Sequence, residues 1–435
     1  MRRRADARGR LVVSEDFGSS RVGSRRNLGR APPYHIKLRK RPMTAAYRLP
    51  IVSIIVTNYN YGRFLPQALN AVRQQTYPHL ECIVVDDCST DCSHEALDTA
   101  VREWPELIVI RQQTNGGQSA SCLAGLARAS GQYIVFLDAD DLITEEFVAA
   151  HLAAHFCLRT PVGMTCCDCF TLRDERLICS TSRYLAGHFA SRPADPTLVH
   201  RGGFDLLREA GFEPPEIDFE ALRLIPWNEN RWPWSSMSAM MFRRDALDLV
   251  TGAKGFVQLR VGTDCFLAWA VNRLTGSVIM ELPMMIYRIH GSNSFAARAS
   301  LNHMRPGHAG LVFDYRADQI LLDHLIENFR YFHAILDNAE HLRGLCELVD
   351  QSAANGEKDR PTLSDLLSGH FDEIVGALGH AEAALWLKKS KGAHGAFGFL
   401  GVLPPRVELE IAKFLCSIGS TRGDEVWNRA IRRLS

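Results

Sequence analysis

From residue 51 the chain alternates short apolar runs with amphipathic stretches, an order that predicts strands alternating with helices. The first run, IVSIIVTNY, is rich in β-branched residues, and a continuous run of this kind is typical of a strand buried on both faces. Three similar runs follow, and a stretch with helical spacing comes after each of the four. We therefore predict strands at 51–59, 81–87, 107–112 and 132–138, and helices at 64–75, 92–104, 118–130 and 144–156.

Three residues are predicted to delimit these helices. Asp91 is a candidate cap for the helix at 92–104, because a short acidic side chain can accept the first free backbone N–H groups. Thr144 is the corresponding candidate for the helix at 144–156, where two acids follow in the first turn. Gly131 follows the helix at 118–130, in the usual position of a helix stop.

Strands that alternate with helices at this spacing predict an α/β fold, in which a mostly parallel sheet carries helices on both faces. Ligands of such sheets lie beyond the carboxyl ends of the strands. Polar and acidic side chains stand at the ends of three predicted strands, so we expect them to meet at one edge of the sheet. They are Thr57, Asn58, Tyr59, Asp86, Asp87, Asp138, Asp140 and Asp141.

The rest of the chain is less regular. Strands are predicted at VGMTCCDCF and within 277–291, and a helix at 262–275, whereas the pattern beyond about residue 310 is helical. We predict three parts: a basic arm at 1–48, the α/β domain at 49–300 and a helical module at 301–435.

The arm is strongly basic, because residues 1–42 hold eleven Arg and two Lys against three acids, whereas the whole chain has a net charge of +1. Its lack of apolar periodicity favours a disordered segment. Met43 as the true start, a transit peptide, and binding to nucleic acid or anionic lipid are the alternatives.

Twelve Cys and the lack of an apolar secretory segment at the N-terminus predict reduced thiols and a cytoplasmic location. Cys166, Cys167 and Cys169 lie close together, but no second ligand pair with the spacing of a zinc finger follows, which favours packing over a zinc site. No run reaches the ~20 apolar residues that a membrane-spanning helix needs. A peripheral contact with the inner face of the membrane stays open.

The strongest chemical signal is YIVFLDADD, where a buried strand ends in three carboxylates. Clustered acids repel one another unless a cation or solvent compensates them. Mg²⁺ and Mn²⁺ prefer oxygen ligands and commonly bind one or two carboxylates together with substrate phosphates. Asp138 and Asp140 therefore predict a site for a metal and a diphosphate, whereas Asp141 is also suited to cap the next helix.

The segments VSIIVTNYNYGRFLPQALNAVRQQTYPHLECIVVDDCSTD, NGGQSA and ASGQYIVFLDADD together resemble the family 2 glycosyltransferases, which have the GT-A fold. The resemblance covers residues 50–160 closely and 235–295 more loosely. It implies a GT-A α/β domain at 49–300, a nucleotide-diphosphate sugar as donor, Mg²⁺ or Mn²⁺ as cofactor, and inversion at the anomeric carbon.

Position by position, the resemblance implies that Thr57 and Tyr59 line the nucleoside pocket and that Asp87 bonds the base. Asp140 is the implied main metal ligand, and Asp138 lies near the donor ribose or the metal. Asp86 is expected to be a solvated or capping acid without a functional role.

The family places its catalytic base at the start of a later helix, which corresponds to Asp264 in RVGTDCFLAW. An acceptor hydroxyl must lose its proton as it attacks, and a carboxylate can accept that proton. The alternative is that Asp264 only caps the helix. In YRIHGSNS, Arg288 is expected to contact phosphate and His290 the metal or the diphosphate.

Two features depart from the family pattern. Cys122 and Leu123 stand where relatives commonly carry Asn or Arg after NGG, so one polar donor contact is expected to be missing. The Gln-x-x-Arg-Trp signature of processive synthases is also absent.

A surface on which the acceptor stacks is a further possibility, with three candidates: Trp227, Trp232 and Trp234. Trp more often packs in a core, which is the alternative.

We therefore predict a metal-dependent inverting glycosyltransferase of the hexosyltransferase type, which acts in surface glycan or polysaccharide biosynthesis. The acceptor is expected to be a glycan, a lipid-linked molecule or a small molecule, with no nucleic acid as partner, and a homodimer stays open. The alternatives are a sugar nucleotidyltransferase, whose Gly-rich basic loop is not seen after the first strand, and a catalytically inactive scaffold that binds nucleotide-sugar.

Overall fold

The computed structural model describes residues 47–180, 199–200, 202–229, 232–260, 262–291, 293 and 317–336, together with residues 376, 379, 412 and 413. The predicted arm at 1–48, with the alternative start at Met43, lies outside these residues apart from its last two positions. Most of the predicted helical module at 301–435 lies outside them as well. The predicted domain boundaries therefore stay predictions.

The first half of the α/β unit is built around four parallel strands. β1 pairs with β2 and β4, and β2 pairs with β3, all in parallel. All seven residues of β1 are buried, which explains why its sequence is apolar without alternation. The elements are β1 at Val52–Asn58, α1 at Leu65–Arg73, β2 at Leu80–Asp86, α2 at Ser93–Glu103, β3 at Ile108–Arg111, α3 at Gln118–Arg128, β4 at Tyr133–Asp138, β5 at Leu142–Ile143 and α4 at Phe147–Cys157.

The second half extends the same sheet in the order β3-β2-β1-β4-β9-β6-β10-β5, with β7 on β6 and β8 on β10. β6 and β10 are parallel, whereas β9 runs opposite to both of its neighbours. The predicted α/β fold class with a mostly parallel central sheet is confirmed. The further elements are β6 at Met164–Arg173, β7 at Arg176–Ser180, α5 at Gly202–Glu209, β8 at Leu222–Ile225, β9 at Met240–Arg243, α6 at Arg244–Asp248, α7 at Thr263–Thr275, β10 at Ser277–Ile289, α8 at Ala317–Glu327 and α9 at Phe329–Leu336.

The predicted helix starts differ in their outcome. Asp91 lies at the start of α2, where its Oδ1 accepts the backbone N–H of Ser93 at 3.0 Å, as expected of a capping acid. Thr144 does not cap α4, because the helix begins only at Phe147. The backbone N–H of Thr144 instead donates to the carbonyl of Met284 at 2.9 Å, so β10 holds the chain extended there.

The prediction that Gly131 stops α3 is wrong, because the helix ends at Arg128. Gly131 allows a close approach to β1 instead. A Cβ at this position would lie 2.7 Å from the backbone nitrogen of Ser53 and 2.8 Å from the carbonyl oxygen of Ile51. Neither backbone atom can move without disturbing the strand, so the position requires glycine.

The end of β10 meets the turn that follows β4. The short strand β5, just after this turn, pairs antiparallel with β10 through Leu142 and Ile286. This pairing places the last residues of β10 beside the acids at the end of β4, where the backbone N–H of Arg288 donates to Asp141 Oδ1 at 3.3 Å. Across the part of the chain that the structure describes, every helix is too short or too polar to cross a membrane.

Candidate active site

Asp138 ends β4 at the carboxyl edge of the sheet. Its Oδ1 accepts hydrogen bonds from Thr57 Oγ1 at 3.0 Å and from Gln118 Nε2 at 2.8 Å. Burial raises the pKa of Asp138 to about 7, and the charge of Asp140 adds to this effect. The carboxyl group therefore binds a proton more readily than an ordinary aspartate, unless a cation at the site stabilises the charged form.

Asp140 and Asp141 lie in the turn after β4, and both are buried. Burial raises the pKa of Asp141 well above its usual value, and the charges of Asp140 and Asp138 raise it further. Three carboxyl groups thus share one poorly solvated edge of the sheet. Such a cluster is unfavourable when all three are ionised, so it favours the binding of a cation.

His290, just after β10, lies against this cluster. Its Nε2 is 2.9 Å from Asp140 Oδ2. The imidazole ring is packed between Tyr61 and Phe64, with ring centroids 5.2 Å and 4.9 Å away. The side chain of Asn293 also holds the loop, because its Oδ1 accepts the backbone N–H of His290 at 2.8 Å. The imidazole is therefore fixed in place beside the acid predicted to bind the metal.

Arg288 is almost completely buried, with 3% of its surface exposed. Its Nε donates to the backbone carbonyl of Asp140 at 3.0 Å, and its Nη1 lies 2.6 Å from Glu175 Oε1. Its Nη2 donates to Gln67 Oε1, and the guanidinium lies 4.8 Å from the ring centroid of Phe64. These contacts are all within the protein, and the expected contact with phosphate stays a prediction.

Asp87 follows β2 and organises the loop before α3. Its two carboxylate oxygens accept the backbone N–H groups of Gly116 at 2.7 Å and Gly117 at 2.8 Å. The side chain of Asn115 donates to the Asp87 carbonyl at 3.3 Å. The predicted nucleoside acid is therefore also the acceptor that shapes the NGG loop.

Tyr59 follows β1 and Asp86 ends β2, and the two residues differ in their surroundings. Tyr59 is 47% exposed, at the open side of the strand edge. Asp86 is fully buried, and its carboxylate accepts Asn58 Nδ2 at 2.6 Å and the backbone N–H of Ser89 at 3.2 Å. The expectation that Asp86 is a solvated acid is wrong, whereas its alternative role as a local capping acid agrees with these contacts.

Asp264 lies in the first turn of α7, one residue after its start. Its Oδ1 accepts the backbone N–H of Cys265 at 2.8 Å, and burial raises the pKa of its carboxyl group. The pKa of the Cys122 thiol is raised mainly by burial and further by the charges of Asp138 and Asp264. This thiol therefore lies near both acids. The fold thus brings Asp264 close to the end of β4, although more than a hundred residues separate the two acids.

Residues that we did not predict connect the NGG loop to the start of α7. Ser119 Oγ and Thr263 Oγ1 lie 2.7 Å apart and are both buried. Arg260 Nη2 donates to the carbonyl and to the side-chain oxygen of Asn115. Gln118, which bonds Asp138, is the first residue of α3, directly after this loop. In the sequence, the only indication that these residues belong to the site was a cluster of polar residues directly after a predicted strand and loop.

Among the described residues no group of three or more His, Cys, Asp and Glu side chains is arranged to hold a metal ion by itself. Asp140 and His290 form a pair with carboxylate oxygen and imidazole nitrogen donors. This pair fits a cation that completes its coordination with substrate phosphates and water, which is the common arrangement for Mg²⁺.

The three clustered cysteines and Trp234 are core residues, whereas Trp227 and Trp232 are partly exposed. Cys166, Cys167 and Cys169 are buried in β6. Trp234 has no exposed surface, and its indole Nε1 donates to Ser277 Oγ at 2.9 Å. Trp234 is therefore not available as a stacking surface for an acceptor.

A cavity of about 610 Å³ opens at the opposite edge of the sheet, around the start of β4. Its lining includes Tyr133, Arg243 and Arg244 but none of the predicted site residues. The two arginines are engaged within the protein, because Arg243 pairs with Asp245 and Arg244 Nη1 donates to the Ala129 carbonyl at 2.6 Å. The acids at the carboxyl edge therefore remain the better candidate for the site.

Comparison with known proteins agrees with this geometry. Residues 53–171 match the model of the glycosyl transferase family 2 domain, a range that includes the strand ends with Thr57, Asp87, Asp138 and Asp140. The resemblance to the family 2 glycosyltransferases seen in the sequence is therefore confirmed over this range.

Individual relatives match over different lengths. An uncharacterized glycosyltransferase of Nostoc sp., alr2836, is 26% identical over 249 residues, which are 57% of this chain and 68% of the relative. TuaG of Bacillus subtilis, whose name refers to teichuronic acid biosynthesis, is 36% identical over 92 residues, 21% of this chain and 36% of TuaG. The crystal structure of S. aureus TarS 1–349 in complex with UDP is 15% identical with a TM-score of 0.44, covering 88% of each chain.

Proposed function

We propose that this protein is an inverting glycosyltransferase that moves a sugar from a nucleotide-diphosphate donor to an acceptor hydroxyl. The observation that carries the proposal is the meeting of carboxylates from separate parts of the chain at one edge of the sheet. Asp138 ends β4, and Asp140 lies in the turn after it. Asp264, the second residue of α7, lies close enough for its charge to raise the pKa of Asp138, in addition to the larger effects of burial and of Asp140.

Asp264 is the proposed catalytic base. Asp264 is partly exposed, and its Oδ1 accepts the N–H of Cys265, which orients the carboxylate. The acceptor oxygen attacks the anomeric carbon while Asp264 takes its proton, and the bond from that carbon to the diphosphate oxygen breaks. Attack on the face opposite the leaving group inverts the centre in a single displacement.

Donor binding is assigned to the strand ends of the first half of the sheet. Tyr59, exposed at the edge, and Thr57 are proposed to line the nucleoside pocket, and Asp87 is proposed to accept an N–H of the base. Asp138 lies between Thr57 and Gln118, where it would face the ribose. Each carboxylate oxygen has two lone pairs, so the N–H groups of Gly116 and Gly117 leave Asp87 further accepting capacity.

Asp140 and His290 are the residues that would hold Mg²⁺ or Mn²⁺, together with the donor diphosphate. When bound, the cation would neutralise the charge that develops on the leaving phosphate. Arg288 has a different proposed role, because its Nε holds the carbonyl of Asp140 and its backbone carbonyl accepts Asn293 Nδ2 at 2.7 Å. It would position both Asp140 and the loop that carries His290.

The names of the relatives favour a role in surface glycan or polysaccharide biosynthesis, with a glycan, a lipid-linked molecule or a small molecule as acceptor. A cytoplasmic location, a peripheral membrane contact and a homodimer stay predictions.

The proposal is tested by incubating the purified protein with UDP-N-acetylglucosamine, UDP-glucose, UDP-galactose and GDP-mannose. We expect release of the nucleoside diphosphate from at least one donor with Mn²⁺, and loss of this release when EDTA is added. Donor binding measured by calorimetry on the same samples separates the alternatives. Tight binding without turnover of any donor would favour the inactive scaffold.

A further inference from the structure

We propose that Ser119 and Thr263 are positioning residues, whose hydroxyl pair sets the location of Asp264 relative to the donor side of the site. The inference rests on the proposed role of Asp264 as the base. The two hydroxyl oxygens are 2.7 Å apart, and they connect residues 144 positions apart in the chain. Each side chain has no exposed surface, so water does not compete for this hydrogen bond.

The pair joins two helix starts that carry different parts of the site. Ser119 is the second residue of α3, directly after Gln118, whose side chain holds Asp138. Thr263 is the first residue of α7, directly before Asp264. The chain enters α7 through Gly262 in the left-handed region, with φ of 84°, so Asp264 follows a sharp turn. A bond at Thr263 therefore fixes the Asp264 backbone close to the point where the helix begins.

The neighbouring contacts run between the same two segments. Arg260 donates to Asn115, and a Cβ at Gly117 would lie only 3.1 Å from Arg260 Cα, so the two backbones are in close contact. Gly117 also donates its N–H to Asp87. A continuous series of contacts thus leads from the predicted nucleoside acid through the NGG loop to the predicted base. The buried hydroxyl pair is its last link before Asp264.

A base must lie within hydrogen-bond distance of the proton it removes, and misplacement by about 1 Å can cost on the order of 100-fold in rate. Donor affinity depends on other groups, so a positioning pair should affect turnover more than binding. We expect Thr263→Val, which keeps the shape but lacks the hydroxyl, to lower kcat about 10–100-fold. The donor dissociation constant should stay within about twofold. Thr263→Ser, which keeps the hydroxyl, should retain most of the activity.

Ser119→Ala removes the other hydroxyl and should lower kcat to a similar extent. The double variant Ser119→Ala/Thr263→Val should be no worse than the poorer single variant, because both changes remove one interaction. Turnover is measured as release of UDP from UDP-N-acetylglucosamine, or of GDP from GDP-mannose, on whichever donor the wild-type protein uses. Donor binding is measured by calorimetry with Mn²⁺ and UDP or GDP, and folding by thermal denaturation.

Wild-type kcat in both single variants would overturn the proposal. Equal losses in Thr263→Val and Thr263→Ser, or a loss of donor binding that accounts for the loss of turnover, would also overturn it. If one variant is unfolded at the assay temperature, the other decides, and unfolding of both would show a merely structural pair. Asp264→Asn is assayed in parallel, because retained turnover in that variant would reject the proposed base itself, whatever the hydroxyl variants do.

Discussion

His290 Nε2 lies 2.9 Å from Asp140 Oδ2, across a separation of 150 residues. The two residues belong to the two halves of the sheet, one after β10 and the other after β4. They meet because β5 pairs with β10 and folds the turn after β4 against the end of the long strand. The proposed metal pair is thus a consequence of sheet topology, and neither half alone would form it.

This relationship leads to the first prediction. Asp140→Ala should remove the effect of Mn²⁺ on donor affinity, and His290→Ala should weaken it, because each change deletes one donor atom of the pair. We expect the dissociation constant for UDP or GDP with Mn²⁺ to rise at least about tenfold in Asp140→Ala, toward the value with EDTA. Calorimetry with and without Mn²⁺ measures the difference. Asp98→Asn, which removes an exposed acid of α2, is the control. Unchanged affinity in Asp140→Ala would exclude it as a ligand.

The second prediction concerns Asp264. Asp264→Asn keeps the oxygen that accepts the Cys265 N–H, so α7 should start normally, but the amide cannot take a proton. Turnover should fall about 10²–10⁴-fold, whereas donor binding should not change. Asp248→Asn on α6 makes the same chemical change at an exposed site and should remain active. Donor binding that falls together with turnover would instead make Asp264 a structural residue.

The two halves of the fold were not equally predictable from the sequence. The strands of the first half were placed to within about two residues, because a strand buried on both faces leaves an unbroken apolar run. Thr144 was misassigned because the chain still follows β10 at this residue, through the bond from its N–H to the Met284 carbonyl, and the helix begins only at Phe147. Local capping rules consider only neighbouring residues, so they cannot detect a contact between residues distant in the chain.

The same distinction applies to the candidate site. Asp138, Asp140 and Asp87 could be predicted because strand ends in a parallel sheet share one edge. Ser119 and Arg260 could not, because their contacts depend on how α7 packs beside the NGG loop. Gln118 could not, because its contact with Asp138 depends on how the start of α3 lies beside the end of β4. The burial of Arg288 was also not predictable, since its partner Glu175 is supplied by the β6–β7 hairpin.

The third prediction is a pH dependence of turnover. Burial raises the pKa of Asp264 above that of an ordinary aspartate, and a base acts only when it is deprotonated. The rate should therefore be low in acid and rise as the pH increases through this raised pKa. We expect the acid limb of kcat/KM to lie above pH 3.8, the usual value for aspartate. Asp138→Asn should keep this limb, which distinguishes Asp264 from the nearby carboxyl group. A limb at or below the ordinary value would contradict the assignment.

The fourth prediction concerns stability and rests on two histidines of α4, the buried His151 and the partly buried His155. Burial lowers the pKa of His155 to about 3 and that of His151 well below its usual value, so both imidazoles are neutral in the folded protein. Unfolding exposes them to water, where they bind protons below about pH 6.5. The unfolded state then holds more protons than the folded state, so the free energy of unfolding must fall as the pH falls below that value. Thr165 Oγ1, 2.7 Å from His151 Nδ1, can bond a neutral ring and so gives no reason for it to be charged.

Each such histidine should cost about 2 kcal/mol of stability between pH 7 and pH 5, from the linkage of proton binding to unfolding. The raised pKa values of Asp138 and Asp141 act in the opposite direction, because these groups bind protons more readily when folded. The comparison is therefore made between variants, using urea denaturation at both pH values. His155→Gln should lose less stability than the wild-type protein on going from pH 7 to pH 5, whereas His79→Gln, at an exposed position, should behave like the wild-type protein. An equal loss in His155→Gln and the wild-type protein would show that His155 does not carry the acid sensitivity.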